Sequence, residues 1–418
     1  MTSALLRANR RTFASLRKHR NYRLFFSGQV ISVSGTWMQN IATAWLVLQI
    51  THSPVAVGIL AVFQFLPFTV LGLFAGVLVD RMDARKTVIG TQTASMFLAF
   101  ALTGLTLGGV VTVHEVYLLT ALRGIVLVLD APARQALTFQ MVGRDELPNA
   151  IALNSSLFNA ARVVGPAAGG VMVAAVGVGA CFAFNAASYL AVLAGLLMMR
   201  SSELFASERP QRPPRFLRGT AEALGYVWRT PSALIALSAV FVLSTLSFNF
   251  NVLLPVLASH TLDAGPGVFG IITAFFGAGA LAGALLSASL GRASMTALVV
   301  GAGGFGVAQL VLAPATSVAA ASLLLFMTGL CFTVWTSNAN SSLQLSSPPD
   351  LRGRVIGLYY FAFNGSGPAG GLLAGWLAAS GGTALAFGVS GAAAVAVSLI
   401  AFGVLHSSGR LPAPWATR

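Results

Sequence analysis

An acidic side chain lies within a long apolar segment of this sequence, with basic side chains at helical spacing around it. Asp130 follows Arg123 by seven residues and precedes Arg134 by four, and Arg162 lies in the next apolar segment. Helical spacing places the first three near one face. A carboxylate in apolar surroundings is costly unless it is paired, protonated or facing water. Asp130 is therefore a proton carrier, with Arg123 as its electrostatic partner, or one half of a structural ion pair at the cytoplasmic end of its span, with Arg81 or Arg85 as the candidate partner. The two roles can coexist.

Amide and aromatic side chains inside other apolar segments form a second group, which could bind an organic compound. Amide groups beside aromatic rings suit a cavity for an amphipathic organic molecule. The alternative is that the amides hydrogen-bond between helices and the rings face lipid. The candidates for lining a cavity are Gln29, Trp37, Asn40, Gln64, Arg162, Asn249, Asn251, Asn338, Asn340 and Asn364.

The arrangements typical of metal sites, nucleotide hydrolysis and covalent catalysis are not found in the sequence. The five histidines lie in tails, loops or helix ends, and no two share a ligand spacing. Cys181 and Cys331 have no CxxC context and are predicted to be packing residues. No Walker A sequence and no nucleophile–base pairing occur. We therefore expect no catalytic residue, no metal site, no cofactor and no enzyme activity.

The elements that position these side chains follow from a strongly apolar composition. Of the 418 residues, 56% are hydrophobic and 9% are charged, and the mean hydropathy is +0.81. A soluble globular chain carries about 25% charged residues, so a soluble enzyme and a disordered chain are excluded. The apolar runs are continuous over about 20 residues, as in membrane helices, and do not alternate as in a β-barrel. The fold class predicted is an all-α integral membrane protein.

Counting runs of membrane length predicts twelve transmembrane helices. The predicted loops after odd-numbered spans contain no Lys or Arg, which concentrate on the opposite side, so both termini are predicted to be cytoplasmic. This placement assigns the net charge of +14 to membrane topology, and we expect no nucleic-acid partner. The predicted spans are 22–50, 55–79, 87–110, 115–139, 148–177, 179–200, 231–258, 266–290, 294–314, 317–342, 352–378 and 382–406.

The two halves of the chain resemble each other. RVVGPAAGG at 162–170 and NGSGPAGG at 364–371 each lie in the fifth span of a half, which is typical of transporters built from two six-helix repeats. Residues 216–229 have amphipathic helical spacing and predict a helix that lies on the membrane or packs on the protein. The predicted organisation is a basic cytoplasmic tail (1–21), a six-helix bundle (22–200), a cytoplasmic linker (201–230), a second six-helix bundle (231–406) and a cytoplasmic tail (407–418).

Three motifs make the chain resemble the major facilitator superfamily. GVLVDRMDARK (76–86) is similar to the signature loop after its second span, GPAAGG (165–170) to its antiporter motif, and Arg123 to its buried span-four arginine. RNYRLFFSGQVISVSGTWMQ, DAPARQAL and LPNAIALNSSLFNAARVVGPAAGG resemble bacterial exporters related to the enterobactin exporter and drug:proton antiporters. The resemblance implies a cytoplasmic gate at Gly76, Asp80, Arg81, Asp83, Arg85 and Lys86, and an antiporter-like motif at Gly165, Pro166, Gly169 and Gly170.

The resemblance implies a transporter of the bacterial inner membrane that works as a monomer by alternating access. It would export a small amphipathic compound, such as a drug, siderophore or metabolite, in exchange for protons. The spacing of the loop alone also fits a solvated basic cluster, and the glycines alone fit ordinary helix packing. An importer or uniporter of the same fold, a lipid or lysolipid flippase, and a non-transporting membrane sensor remain alternatives.

Overall fold

The computed structural model describes residues 13–79, 81–206, 216–289, 294–348 and 351–407, and within these ranges the long elements are all helices. Helices satisfy their own backbone hydrogen bonds, which is what apolar surroundings require. The helices are α1 (Ala14–Lys18), α2 (Arg20–Thr51), α3 (Pro54–Val79), α4 (Ala84–Leu107), α5 (Val113–Val176), α6 (Val178–Leu197), α7 (Phe216–Arg229), α8 (Pro231–Leu246), α9 (Phe250–Val256), α10 (Pro266–Ser289), α11 (Met295–Leu312), α12 (Val318–Ser346), α13 (Arg352–Gly365) and α14 (Gly367–Ser407).

Two of these helices contain a break at glycine. Gly143 in α5 has φ 68° and ψ −175°, and Gly382 in α14 has φ 71° and ψ −176°. Positive φ at this ψ is a conformation that glycine alone adopts readily. The 64 residues of α5 would extend about 96 Å as one straight helix, about three times the thickness of a membrane core. Each break therefore divides a long helix into two segments.

Nine stretches of the described chain are long and apolar enough to cross a membrane. Two of them, Val113–Val176 and Arg352–Ser407, contain the breaks at Gly143 and Gly382. The 32-residue helix α2 is also of membrane length but carries several polar side chains along it. The protein is thus an all-helical multi-pass membrane protein in the part of the chain that is described.

The chain divides into two compact units. One comprises Met1–Leu46 and Leu71–Pro213, and the other comprises Val47–Val70 and Pro214–Arg418. The division near residue 213 falls within the predicted linker, whereas residues 47–70, predicted in the first bundle, belong to the second unit. In the first unit, the buried core at one end of the helices includes Tyr22, Phe25, Leu137, Met141 and Leu196.

The second unit has an aromatic core and close helix packing. Phe248 stacks on Phe332 with ring centroids 4.3 Å apart, and Phe250 stacks on Phe276 at 4.6 Å. Helices α10 and α12 approach so closely that a Cβ at Gly279 would overlap backbone atoms of α12. Small residues four apart permit this approach between membrane helices. The aromatic side chains and glycines together fix the core of this unit.

Helix α7 packs on the second unit through one face and exposes the next. Ala223 and Val227 are buried, and Arg354 forms an ion pair with Glu222 at 2.8 Å. Leu224 and Trp228 lie on the adjacent face and are exposed. The two alternatives for residues 216–229 are therefore compatible, because the helix packs on the protein and still presents an apolar edge of the kind that enters a membrane surface.

Candidate functional site

Asp130 lies in a buried polar network between helices α2, α4 and α5 of the first unit. Its Oδ1 accepts hydrogen bonds from Thr91 Oγ1 at 2.6 Å and from Gln92 Nε2 at 2.9 Å. Its Oδ2 forms an ion pair with Arg134, one helical turn later, and accepts the Nε hydrogen bond of that residue at 3.1 Å. Arg134 also donates to Gln29 Oε1 of α2. Asp130 is only 3% exposed, so these protein groups replace water around the carboxylate.

Arg123 and Arg162 lie apart from this network, against α2. Arg123 Nη1 donates to Asn40 Oδ1 at 2.9 Å, so the structure does not bring it to Asp130 as helical spacing suggested. The guanidinium carbon of Arg162 lies 5.5 Å from the ring centroid of Trp37, a cation–π contact. Both arginines are partly exposed. Two of the predicted cavity residues of α2 thus contact two arginines of α5.

The predicted cytoplasmic gate is described in part. Asp83 is the N-cap of α4, and its side chain accepts the backbone N–H of Lys86 at 2.8 Å. Arg85 donates to the carbonyl of Leu196 from Nε at 3.1 Å and from Nη2 at 2.8 Å. Asp80 lies outside the described residues, and Gly76 lies in α3 within a stretch whose side-chain surroundings are not described. Arg81 and Lys86 are exposed.

Arg85 therefore joins the start of α4 to the end of α6. It places a positive charge at the negative end of a helix dipole and satisfies carbonyls that have no partner within the helix. We predict that Arg85→Gln lowers the free energy of unfolding by about 1.5–3 kcal/mol, the range for a hydrogen bond to a charged group. The matched change Lys86→Gln is expected to leave it unchanged, because that side chain is exposed. Thermal unfolding of the purified variants checks this, and equal unfolding temperatures would contradict it.

The GPAAGG motif forms the face of α5 that packs on α2. Gly165, Pro166, Gly169 and Gly170 are all buried. A Cβ at Gly165 would overlap the Cβ of Trp37, and one at Gly169 would lie 3.1 Å from the Cα of Met38. The proline also leaves the carbonyl of residue 162 without its helical donor, which permits bending. The motif thus sets the distance between α2 and the part of α5 that carries Arg162.

A cleft in the second unit brings three of the predicted cavity amides together. Asn249, Asn251 and Asn364 line it with the aromatic rings of Phe65, Phe248 and Phe363. The Nδ2 groups of Asn249 and Asn364 donate to backbone carbonyls one turn earlier. Asn251 is exposed. The remaining lining residues are Ala61, Ser244, Val252 and Gly367.

The other candidate amides of this unit lie elsewhere. Asn338 is buried; its Oδ1 accepts the backbone N–H of Ser294 at 3.0 Å, and its Nδ2 donates to the Val334 carbonyl at 2.8 Å. Asn340 accepts a hydrogen bond from Gln344 at 2.5 Å. Gln64 is partly buried on α3, next to the cleft residue Phe65. The bond between Asn338 and Ser294 joins α12 to the start of α11, as the packing alternative predicted, whereas the bond between Asn340 and Gln344 lies within α12.

The sequence pattern did not predict the hydrogen-bond partners that α4 contributes to Asp130. Thr91 and Gln92 complete the hydrogen bonding of Asp130, and neither was among the predicted site residues. The available signal was two adjacent polar residues within the apolar run of the third predicted span. Gln29, which was predicted to line a cavity, accepts a hydrogen bond from Arg134.

Solved structures of two transporters share this fold. A crystal structure of the peptide transporter POT in complex with sulfate superimposes with a TM-score of 0.75 at 15% identity, covering 94% of this chain and 95% of that one. A structure of the nucleoside transporter NupG gives a TM-score of 0.73 at 11% identity, covering 92% and 99%. The helical fold is therefore that of the major facilitator transporters.

Residues 10–412 match the transmembrane secretion effector family. The chain belongs to this family of major facilitator transporters, which confirms the resemblance seen in the sequence. The transporter YfiS of Bacillus subtilis is 28% identical over 406 residues, 92% of this chain and 93% of the relative. The multidrug efflux pump Tap of Mycolicibacterium fortuitum is 28% identical over 357 residues, 82% and 86%. The staphyloferrin A transporter of Staphylococcus aureus is 24% identical over 248 residues, 59% and 62%.

Proposed function

We propose that this protein is a secondary active transporter of the bacterial inner membrane that exports a small amphipathic organic compound in exchange for protons. The observation that carries the coupling is the buried Asp130–Arg134 ion pair, because an ionisable pair within a membrane segment marks proton pathways. The direction is supported by relatives such as Tap, which is described as an efflux pump. The range of compounds is supported by that pump and by the staphyloferrin A transporter.

The proposed coupling follows from the contacts of the pair. Ionised Asp130 holds Arg134, and Arg134 reaches Gln29 on α2, so the pair links α5 to α2. Protonation of Asp130 removes the charge that holds Arg134 and weakens this link. A group whose contacts differ between two conformations shifts the equilibrium between them. Proton binding would thereby favour one state of an alternating-access cycle.

The proposal includes twelve membrane spans with both termini in the cytoplasm and two six-helix bundles joined by residues 201–230. The nine apolar stretches support this count of twelve spans. Two of them are each counted as two segments because they are broken at glycine, and α2 is added. The absence of Lys and Arg from the predicted outer loops supports the orientation. The loop 76–86 acts as the cytoplasmic gate in this scheme, and the monomer is the functional unit.

The cleft of the second unit is a further proposed contact surface for the exported compound, with amide side chains that would hydrogen-bond to its polar groups. We predict that Asn251→Leu weakens substrate binding about 3- to 10-fold, since a typical hydrogen bond contributes about 0.5–1.5 kcal/mol, and that it leaves unfolding unchanged. Asn338→Leu is the matched comparison and is expected to lower stability instead, because its amide holds backbone groups of α11 and α12. Ligand-binding titrations and thermal unfolding of both variants would separate the two roles, and identical profiles would contradict them.

Inverted membrane vesicles test the proposed function. Respiration acidifies the vesicle interior, and cationic dyes, antibiotics and siderophores are added in turn while a pH-sensitive dye reports the gradient. A compound that is exchanged for protons collapses the gradient in vesicles containing the protein and not in vesicles without it. Uptake into intact cells without gradient collapse would support an importer, and transfer of labelled lipid between leaflets would support a flippase.

A further inference from the structure

The charged groups inside the first unit do not balance. Asp130 supplies the negative charge well inside the predicted spans of this half. Its two carboxylate oxygens already interact with Arg134, Thr91 and Gln92. Arg123 and Arg162 remain. Among the described residues, no carboxylate lies within ion-pair distance of either one. Within the described part of the chain, these two cations in membrane segments therefore have no partner anion, an arrangement that is costly and marks a functional site.

The contacts of these two arginines leave room for a ligand. Arg162 lies over the face of Trp37, which stabilises the cation without occupying its N–H donors. Arg123 gives one donor to Asn40, and its Nε is buried with no hydrogen-bond partner in the described part of the chain. A guanidinium has five N–H donors, so most donors of the two side chains have no hydrogen-bond partner among the residues that the structure describes. Both side chains are partly exposed and can be reached.

The two cations share one face of α2. Trp37 and Asn40 are three residues apart on that helix, and side chains at this spacing lie about 5–6 Å apart at their Cβ atoms. Arg162 is positioned one turn before Gly165, whose packing on Trp37 sets the distance between the helices. The two guanidinium groups therefore contact neighbouring positions of α2, and the ring of Trp37 is one of those positions. Guanidinium groups bind carboxylate, sulfonate and phosphate oxygens through paired N–H donors.

We propose that Arg123 and Arg162 bind an acidic group of the transported compound, so that the substrate is an amphipathic anion and its aromatic or apolar part contacts Trp37. This inference rests on the proposed function, since it names the substrate class of the exporter. A cationic compound would meet two positive charges with no carboxylate to offset them. A desolvated like-charge contact disfavours the wrong partner more strongly than an extra apolar contact favours it.

Three compounds with one aromatic body test the preference without requiring transport. These are 9-anthracenecarboxylate, 9-anthracenecarboxamide and 9-(aminomethyl)anthracene, which carry negative, zero and positive charge. Their binding to the purified full-length protein in lipid nanodiscs is measured by fluorescence titration, with empty nanodiscs as the blank. We expect the carboxylate to bind at least about tenfold more tightly than the amide or the amine, a factor that corresponds to about 1.4 kcal/mol.

Variants assign the preference to the two arginines. Arg162→Gln and Arg123→Gln are each expected to remove most of the preference for the carboxylate, whereas Arg162→Lys retains part of it because the charge remains. Arg352→Gln is the matched control, since Arg352 is exposed in the second unit, and it keeps the full preference. Thermal unfolding of each variant verifies that the protein remains folded, and Arg123→Gln and Arg162→Gln provide independent tests should one of them unfold.

The outcomes separate this inference from the proposed function. A carboxylate that binds no more tightly than the amine, or not at all, overturns the anion site even if vesicles show proton-coupled efflux of another compound. Preference retained in both glutamine variants also overturns it and leaves the arginines a structural role. Preference present in the wild type and lost in the variants supports the anion site, even where the vesicles show no gradient collapse and the coupling proposal fails.

Discussion

Asp130→Asn is expected to reduce substrate-driven collapse of the pH gradient to the level of vesicles without the protein. Asparagine keeps the shape of the side chain but cannot bind and release a proton near neutral pH. The substitution also leaves Arg134, a mostly buried cation, without its counter-charge. Removing one partner of a buried pair costs about 3–5 kcal/mol, so we expect a lower unfolding temperature together with the loss of coupling.

A double variant distinguishes the two roles of Asp130. Asp130→Asn with Arg134→Gln removes both charges, and replacing a buried pair together is often close to neutral for stability. The coupling proposal predicts that this variant regains stability and remains without proton exchange. Restored exchange in the double variant would show that the pair is structural only. Asp145→Asn, the same change at an exposed position, is the control and is expected to behave as the wild type.

Gly165→Ala is expected to destabilise the protein, although alanine normally stabilises a helix. In an unhindered helix the change from glycine gains about 0.5–1 kcal/mol. At Gly165 the added carbon would overlap the Cβ of Trp37 and lie 3.2 Å from the carbonyl oxygen of Ser34. Overpacking of this kind costs about 1–3 kcal/mol, and it moves Trp37 away from Arg162. We therefore expect both a lower unfolding temperature and weaker binding of the anthracene carboxylate.

Gly90→Ala is the matched control for this prediction. Gly90 lies within α4, and a Cβ there would meet no atom within 4 Å. We expect the Gly90→Ala variant to unfold at a temperature equal to or above that of the wild type. If the two alanine variants unfold at the same temperature, the close contact between α5 and α2 does not contribute to stability as the structure implies.

The helical architecture follows from the sequence because it depends on local properties. Continuous apolar runs require helices that satisfy their own hydrogen bonds, and most of the described helices lie in the predicted spans. The break at Gly143 lies between the predicted spans 115–139 and 148–177, and the break at Gly382 lies at the start of the predicted span 382–406. The contact between Asp130 and Arg134 could also be predicted from the sequence, because residues four apart on one helix are neighbours.

Contacts between different helices could not be predicted from the sequence in this way. The spacing of seven residues between Arg123 and Asp130 suggested a shared helix face, yet Arg123 donates a hydrogen bond to Asn40 of α2. Asn249 and Asn338 have the same side chain and lie in similar apolar runs, but one lines a cleft and the other holds backbone groups of a neighbouring helix. Which face of a helix meets which neighbour depends on tertiary packing, and the local pattern of apolar residues does not encode it.

Transport by the purified protein in liposomes tests the central claim most directly. The compound that gives the strongest response in vesicles is added outside liposomes whose interior is made acidic by an imposed pH gradient. We expect accumulation above the external concentration, abolished by a proton ionophore and by Asp130→Asn, with no accumulation when the gradient is reversed. Equilibration to equal concentrations regardless of the gradient would contradict proton-coupled export and indicate a uniporter.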